Sequence, residues 1–309
     1  MAKLIRFRCF GDKDVIETED IDVSQPDAGE VLVSVRAASV NPVDFKIRSG
    51  KYPAVKNDRL PYTLGRDVSG VVEKCGAQAT RFKVGAEVFG IVGIHGGGYA
   101  EQAVLDQNAI TAKPAGLDHV HAAAIPLAGQ TAWQGLFRYG GLKAGQSALI
   151  HGGSGGVGHF AIQFAKARGA RVLTTVSTKN VGFARDLGAD VVIDYKTQRF
   201  EDHAVDLDLV FDLIDGETRE RSWSCLKKGG VLVSTLTEPS QEKASQFGVR
   251  ALRYTVEADG EELAEIAGLV SSGKVKPRVQ ETFALTAAAD ALAFLEQGHS
   301  VGKIVLKVA

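Results

Sequence analysis

A glycine-rich run, Leu149-Ile150-His151-Gly152-Gly153-Ser154-Gly155-Gly156-Val157-Gly158, constrains this chain more than any other stretch. An apolar segment, read as a strand ending at His151, enters it, and a helical pattern, Phe160-Ala161-Ile162-Gln163-Phe164-Ala165, leaves it. A glycine-rich loop at a strand-to-helix turn lets the backbone approach a pyrophosphate held at the helix N-terminus. Gly153, Gly155 and Gly158 satisfy G-x-G-x-x-G, and Ser154, Gly156 and Val157 complete the loop. The motif alone is weak, but the strand before it and the helix after it supply the required context. The run reads as a dinucleotide site.

The loop lies within an alternating pattern. Strand-like segments at 148–151, 171–176, 191–193, 207–213, 231–236 and 251–256 are separated by helix-like segments. Strands alternating with helices imply a parallel sheet covered on both faces, and six of them make one doubly wound nucleotide-binding domain, here 119–270. Residues 1–118 differ. Their strand candidates (4–10, 31–37, 68–74, 87–92 and 99–105) are short, β-branched and bounded by glycine or proline, and a short helix starts at Pro42. Beyond about 271, a segment at 275–279, a helix at 287–297 and a strand at 303–308 are too few to stand alone. The expected fold class is therefore α/β. A small β domain (1–118, completed by 271–309) is interrupted by an inserted doubly wound parallel-sheet domain.

Composition excludes several classes of function. A length of 309 residues suggests about two domains. A net charge of −1 lacks the positive footprint of a dedicated nucleic-acid binder, so no nucleic-acid partner is expected. No apolar run approaches the ~20 residues of a membrane span, and Met1-Ala2-Lys3-Leu4-Ile5-Arg6 reads as a first strand rather than a secretory signal. Three scattered cysteines, Cys9, Cys75 and Cys225, do not form a disulfide framework and point to a reducing cytoplasm.

The end of the second strand of a doubly wound domain distinguishes NAD from NADP. A carboxylate there binds the ribose 2′-hydroxyl, whereas a 2′-phosphate needs a cation instead. Here the strand runs out as Val176-Ser177-Thr178-Lys179-Asn180, and Ser177 lies 19 residues beyond Gly158 without a carboxylate at that position. Ser177 can donate to phosphate oxygens and Lys179 supplies a point charge, so the expected cofactor is NADPH. Ser177 as a helix cap and Lys179 as a solvated lysine remain the plainer alternative, and capping is compatible with phosphate binding.

Further motifs carry a resemblance. Val40-Asn41-Pro42-Val43-Asp44-Phe45-Lys46, Leu64-Gly65-Arg66-Asp67-Val68-Ser69-Gly70 and Phe82-Lys83-Val84-Gly85-Ala86-Glu87-Val88 precede the loop in that order. Pro126-Leu127-Ala128-Gly129-Gln130-Thr131-Ala132-Trp133 leads into the nucleotide domain, and Gly298-His299-Ser300-Val301-Gly302-Lys303-Ile304 lies near the end. With these in view the chain resembles the zinc-independent quinone and enone oxidoreductases of the medium-chain dehydrogenase/reductase superfamily.

The resemblance implies a GroES-like catalytic domain, a Rossmann domain that binds NADPH, a cleft between them and a homodimer. Members transfer hydride from nicotinamide C4 to a quinone or to the β-carbon of an enone. Zinc-dependent members carry cysteine and histidine where this chain has Asn41-Pro42, and Gly-His-Glu where it has Gly65-Arg66-Asp67. Three zinc ligands cannot be assembled from these positions, so no metal is expected. His119 and His121 are spaced unlike a zinc pair, and His95 and His151 gain no catalytic role.

Without a metal, hydrogen-bond donors must stabilise the oxyanion that forms on the acceptor, with protonation from water or a tyrosine. By likeness the candidate donors are Asn41 and Tyr52, with Asp44 and Lys46 close by. A helix cap before Pro42 and a packed loop aromatic are the competing explanations for Asn41 and Tyr52, and a surface ion pair for Asp44 with Lys46. The likeness also carries cofactor contacts onto Asn41, Thr131, Tyr195, Tyr254, Val256 and Lys303, against ordinary packing or exposure. A sensor or scaffold that binds NADPH with little turnover is the second reading, because fold does not dictate activity.

Overall fold

The computed structural model describes residues 1–94, 97–298 and 300–308. His95 and His299, both named in the sequence motifs, lie outside the described residues. The chain forms two compact units. The first comprises Met1–Leu127, Ala258–Ser272 and Pro277–Ala309, and the second Ala128–Glu257 and Gly273–Lys276.

The first unit opens with β1 (Ala2–Phe7), β2 (Ile16–Ile21), β3 (Glu30–Val40), α1 (Pro42–Arg48), β4 (Tyr62–Thr63) and β5 (Asp67–Cys75). β6 (Glu87–Ile91), β7 (Gln102–Asp106), β8 (Ile110–Ala112) and α2 (His119–Ala123) follow. Next come α3 (Pro126–Trp133), β9 (Ser147–His151), α4 (Gly158–Ala167), β10 (Arg171–Val176), α5 (Val181–Asp186), β11 (Val191–Asp194) and β12 (Leu207–Asp212). The second unit continues through α6 (Gly216–Ser222), β13 (Leu226–Ser234), α7 (Gln241–Phe247) and β14 (Arg250–Arg253). The chain closes with α8 (Gly260–Ser271), β15 (Val279–Ala284), α9 (Ala288–Glu296) and β16 (Lys303–Lys307).

The second unit has the expected parallel sheet, ordered β11-β10-β9-β12-β13-β14. Strand order reverses between β9 and β12, and nucleotides bind outside the carboxyl ends of strands at such a point. Its central strands are almost continuously buried, with Leu149, Leu173, Val210 and Leu232 fully enclosed, as a sheet covered on both faces requires. β14 stops at Arg253, so Tyr254 and Val256 lie in the segment after the strand rather than ending it.

The first unit is mostly antiparallel. β16 pairs with β3 at Ile304↔Val40, and β3 pairs with β5 at Ser39↔Asp67. These two registers determine the polar interior described below. β2, which periodicity does not reveal, reads Ile-Glu-Thr-Glu-Asp-Ile and forms an edge strand held by β1 alone. An edge strand with charged residues is an ordinary guard against pairing with other chains.

The unit boundaries differ from those read off the sequence. α2 packs on β3 and β5, and the Gly260 N–H donates to the Asn108 carbonyl (2.7 Å) where α8 meets β8, so 119–127 and 258–272 belong with the first unit. Residues 273–276 go with the second, because the Gln163 carboxamide bonds both backbone groups of Lys276 (2.8 and 3.1 Å).

Candidate nucleotide-binding loop and a buried polar cluster

β9 ends in His151, whose ring bonds Thr175 Oγ1 (3.0 Å) and Ser222 Oγ (2.9 Å) in full burial. Burial pulls its pKa down to about 3, so it stands neutral as an anchor for the loop that follows. Gly152 takes a left-handed φ of 72°. A Cβ on Gly153 would overlap the Thr174 hydroxyl, and one on Gly158 would overlap the Gly152 carbonyl. Gly155 is different, since a Cβ there would meet nothing closer than 3.4 Å. Two glycines thus let the loop pack, and the middle one leaves its backbone open to a ligand. The loop leads into the ten-residue helix α4, whose N-terminal N–H groups favour an anion.

β10 delivers Ser177, half-buried, and Lys179, exposed. Ser177 makes no side-chain cap to the following turn, so its hydroxyl is not used up as a helix cap. Instead the Asn180 carboxamide Nδ2 donates to Ser177 Oγ (3.2 Å) and to Ser154 Oγ of the glycine loop (3.0 Å). Nothing in the sequence pattern distinguishes Asn180. Asp194 at the end of β11 is held below the usual carboxylate range by a hydrogen bond from the Thr178 side chain, and it also accepts the Lys196 N–H (3.0 Å). Tyr195 beside it is 52 % exposed, with the Lys196 ammonium 5.3 Å from its ring centre. Hydroxyls and cations therefore cluster at the end of β10, and the groups present fit NADPH.

Thr131 lies within α3, and its carbonyl accepts the Tyr254 hydroxyl. Tyr254 stacks on Tyr139, with ring centres 4.5 Å apart. The Gln134 carboxamide bonds both backbone groups of Glu257 (2.8 and 3.1 Å), one residue beyond Val256. Thr131 and Tyr254 thus come together at the seam between the first and last segments of the second unit, and Val256 lies on the last segment between Tyr254 and Glu257.

In the first unit, β3 ends at Val40 and is followed by Asn41, which is 3 % exposed. Its Nδ2 donates to Asp67 Oδ2 (2.8 Å) and to the Ser39 carbonyl (3.2 Å), while its Oδ1 accepts the Lys303 ammonium. The Ser39 hydroxyl also donates to Asp67 (2.6 Å), and the other Asp67 oxygen accepts the Leu127 N–H (2.6 Å). Lys303 further donates to the Val40 carbonyl (3.0 Å) and lies 3.8 Å from Asp67. Burial lowers the Lys303 pKa, opposed by the charges of Asp67 and Asp44. From the sequence, Lys303 either reaches the cofactor or lies exposed on a terminal strand. It is 4 % exposed and is held by Asn41, the Val40 carbonyl and Asp67.

Both amide hydrogens of Asn41 are committed, so its remaining capacity is as an acceptor at Oδ1. The helix-cap alternative holds in part: the Asn41 backbone N–H donates to Asp44 Oδ2 (2.8 Å) at the start of α1. The surface-pair alternative for Asp44 does not hold, because Asp44 is fully buried and accepts the Tyr99 hydroxyl (2.8 Å). Burial raises Asp44 to about 6 and pushes Tyr99 well above the usual phenol range, and the second Asp44 oxygen has no hydrogen-bond partner. Tyr52 is half-buried against the apolar core of this unit, and Lys46 is half-buried on α1.

At the positions compared with zinc ligands, Asn41 faces a lysine ammonium and Arg66 donates to the Val92 carbonyl (3.0 Å). His119 bonds Ser69 Oγ (2.8 Å) and Glu87 (3.2 Å), and His121 bonds Asp118 (2.8 Å). Among the described residues, no group of three or more His, Cys, Asp or Glu is placed to hold a metal ion.

Residues 27–115 match the family described as alcohol dehydrogenase GroES-like domain, and residues 187–306 that described as zinc-binding dehydrogenase. The chain is 36% identical over 313 residues to a 2-methylene-furan-3-one reductase of Solanum lycopersicum, covering 96% of this chain and 76% of the relative. Among solved structures, a quinone oxidoreductase from Coxiella burnetii has a TM-score of 0.92 at 36% identity, covering 100% of this chain and 99% of its own. The Escherichia coli quinone oxidoreductase complexed with NADPH has a TM-score of 0.90 at 28% identity, covering 99% and 100%. The glycine loop, the phosphate-type end of β10 and these likenesses agree: this chain belongs to the zinc-independent quinone and enone oxidoreductases of the medium-chain dehydrogenase/reductase superfamily.

Proposed function

We propose that this protein is an NADPH-dependent reductase that transfers a hydride to a quinone or an enone. The observation that carries the cofactor choice is the end of β10, where Ser177, Lys179 and Asn180 stand in place of a carboxylate. NADPH, when bound, supplies the hydride. Gly153, Ser154, Gly155, Gly156, Val157 and Gly158 would present the loop backbone to the pyrophosphate, and Ser177 and Lys179 would hold the 2′-phosphate. Tyr195 would flank the adenosine half, and Thr131, Tyr254 and Val256 the nicotinamide half.

Asn41 contributes as an acceptor at Oδ1, suited to a ribose hydroxyl, and Lys303 acts by holding that carboxamide in place. Tyr52 is then the candidate donor to the acceptor oxygen, assisted by the charge of Lys46. Quinones and enones suit such a site because the incoming charge delocalises onto oxygen, where preorganised donors are most effective. The proton that completes the reaction comes from water or Tyr52.

This reading includes the β-rich unit as the catalytic domain, a homodimer and a cytoplasmic location. The three cysteines, all free, support a reducing compartment, and β14 at the edge of the six-stranded sheet is open to a second copy. No helix among the described residues is long and apolar enough to cross a membrane.

The test is a steady-state screen of simple quinones and enones with NADPH and NADH, with and without a chelator. Turnover with NADPH, faster than with NADH and indifferent to the chelator, is expected. Tight NADPH binding without turnover across the panel would favour the sensor reading instead.

A further inference from the structure

We propose that Asn180 is a positioning residue for phosphate selectivity: it turns the hydroxyls of Ser154 and Ser177 outward as a matched pair of donors to one phosphate group. This rests on the NADPH reading above. One carboxamide nitrogen donates to both oxygens, at 3.0 and 3.2 Å, so the two hydroxyls lie within two hydrogen-bond lengths of each other. That spacing fits a single phosphate. The two serines come from separate loops, one after β9 and one after β10, 23 positions apart in the chain.

The chemistry follows from the hydrogen-bonding capacity of a hydroxyl, which has one donor hydrogen and two acceptor lone pairs. An N–H pointed at the oxygen occupies a lone pair, so the hydroxyl hydrogen must seek an acceptor elsewhere. With both serines fixed in this way, the pair offers two donors and favours an anion with several acceptor oxygens. Asn180 itself is 9 % exposed, and its backbone N–H donates to the Ser177 carbonyl (2.8 Å), so the backbone that carries the carboxamide is fixed by its own turn. Lys179, one residue earlier, adds the positive charge that the donor pair lacks.

Titration calorimetry of the full chain with adenosine 2′,5′-bisphosphate and with AMP separates the 2′-phosphate from the rest of the nucleotide. Wild type should bind the bisphosphate more tightly. Asn180→Ala should lower that preference about tenfold, the size of effect expected when hydrogen bonds to a charged group lose their orientation. Asn180→Asp keeps the shape but reverses the polarity, drawing both hydroxyl hydrogens inward, and should lower the preference further than alanine does.

A purely structural role predicts the opposite ranking, with the isosteric aspartate milder than alanine and both nucleotides weakened alike. That result would overturn the proposal, as would an unchanged preference in both variants. If wild type itself showed no preference for the bisphosphate, the NADPH reading would fall and this inference with it. A preference in wild type that survives both substitutions would remove only the role of Asn180.

Discussion

In the second unit, Ser154 and Ser177 are half-buried at loop ends, held by one carboxamide and free to donate to something outside. In the first unit, Asn41, Asp44, Asp67 and Lys303 are almost wholly enclosed and bond chiefly to one another and to backbone. The contrast separates two uses of polar groups. A loop with spare donors serves a ligand, and its substitution shows in affinity. A buried cluster whose hydrogen bonds are mostly internal, Asn41 Oδ1 and one Asp44 oxygen excepted, orders the backbone around it, and its substitution shows chiefly in stability.

The largest effect that could break this contrast is expected at Asp67. Its carboxylate accepts from Ser39, Asn41 and the Leu127 N–H, and it is a charge partner of buried Lys303. Asp67→Ala leaves that ammonium without this partner, and removal of one partner of a buried pair costs about 3–5 kcal/mol. Urea denaturation should show the loss, and a variant as stable as wild type would mean that the cluster is not structural.

Next in size is a pH effect at Asp44, whose carboxyl burial raises to about 6 from an ordinary 3.8. A raised carboxyl contributes stability that is complete below about pH 4 and is lost as pH rises through 6. Asp44→Asn is neutral throughout. Relative to wild type it should gain on the order of 1–3 kcal/mol between pH 4 and pH 7, read from denaturation curves at both. Parallel pH profiles for the two proteins would show that Asp44 does not titrate in this range.

The smallest effect sharpens the other side. Ser177→Ala with Lys179→Ala should raise the KM for NADPH about tenfold, with NADH little changed and the denaturation midpoint unmoved. Equal losses with both cofactors would remove the basis for a phosphate site at the end of β10.

Much of the second unit was legible from the sequence, because its signals are local. Glycines at 153 and 158 are demanded by contacts within the loop and its immediate strands, and buried parallel strands write themselves as apolar runs. β2 was not legible, since its charged sequence is a strand only because β1 pairs with it. Asn180 looks like an ordinary turn residue, and nothing in the alphabet of one segment announces that its nitrogen will bridge to a loop 26 positions earlier. Likewise Tyr254 reads as part of a strand, but the strand stops one residue before it and its hydroxyl turns back to the Thr131 carbonyl 123 positions away.

The amino-acid order by itself determined the two-unit α/β plan, the glycine loop and the absence of a carboxylate after β10, because each depends on neighbours a few residues apart. Tertiary structure alone decided which polar groups are spent and which are spare. Lys303 lies 262 positions from Asn41, and only the register of β16 on β3 buries its ammonium against that carboxamide. Burial and hydrogen-bond partnership arise between distant segments, so the same lysine reads as a surface charge in the chain and becomes an interior strut in the fold.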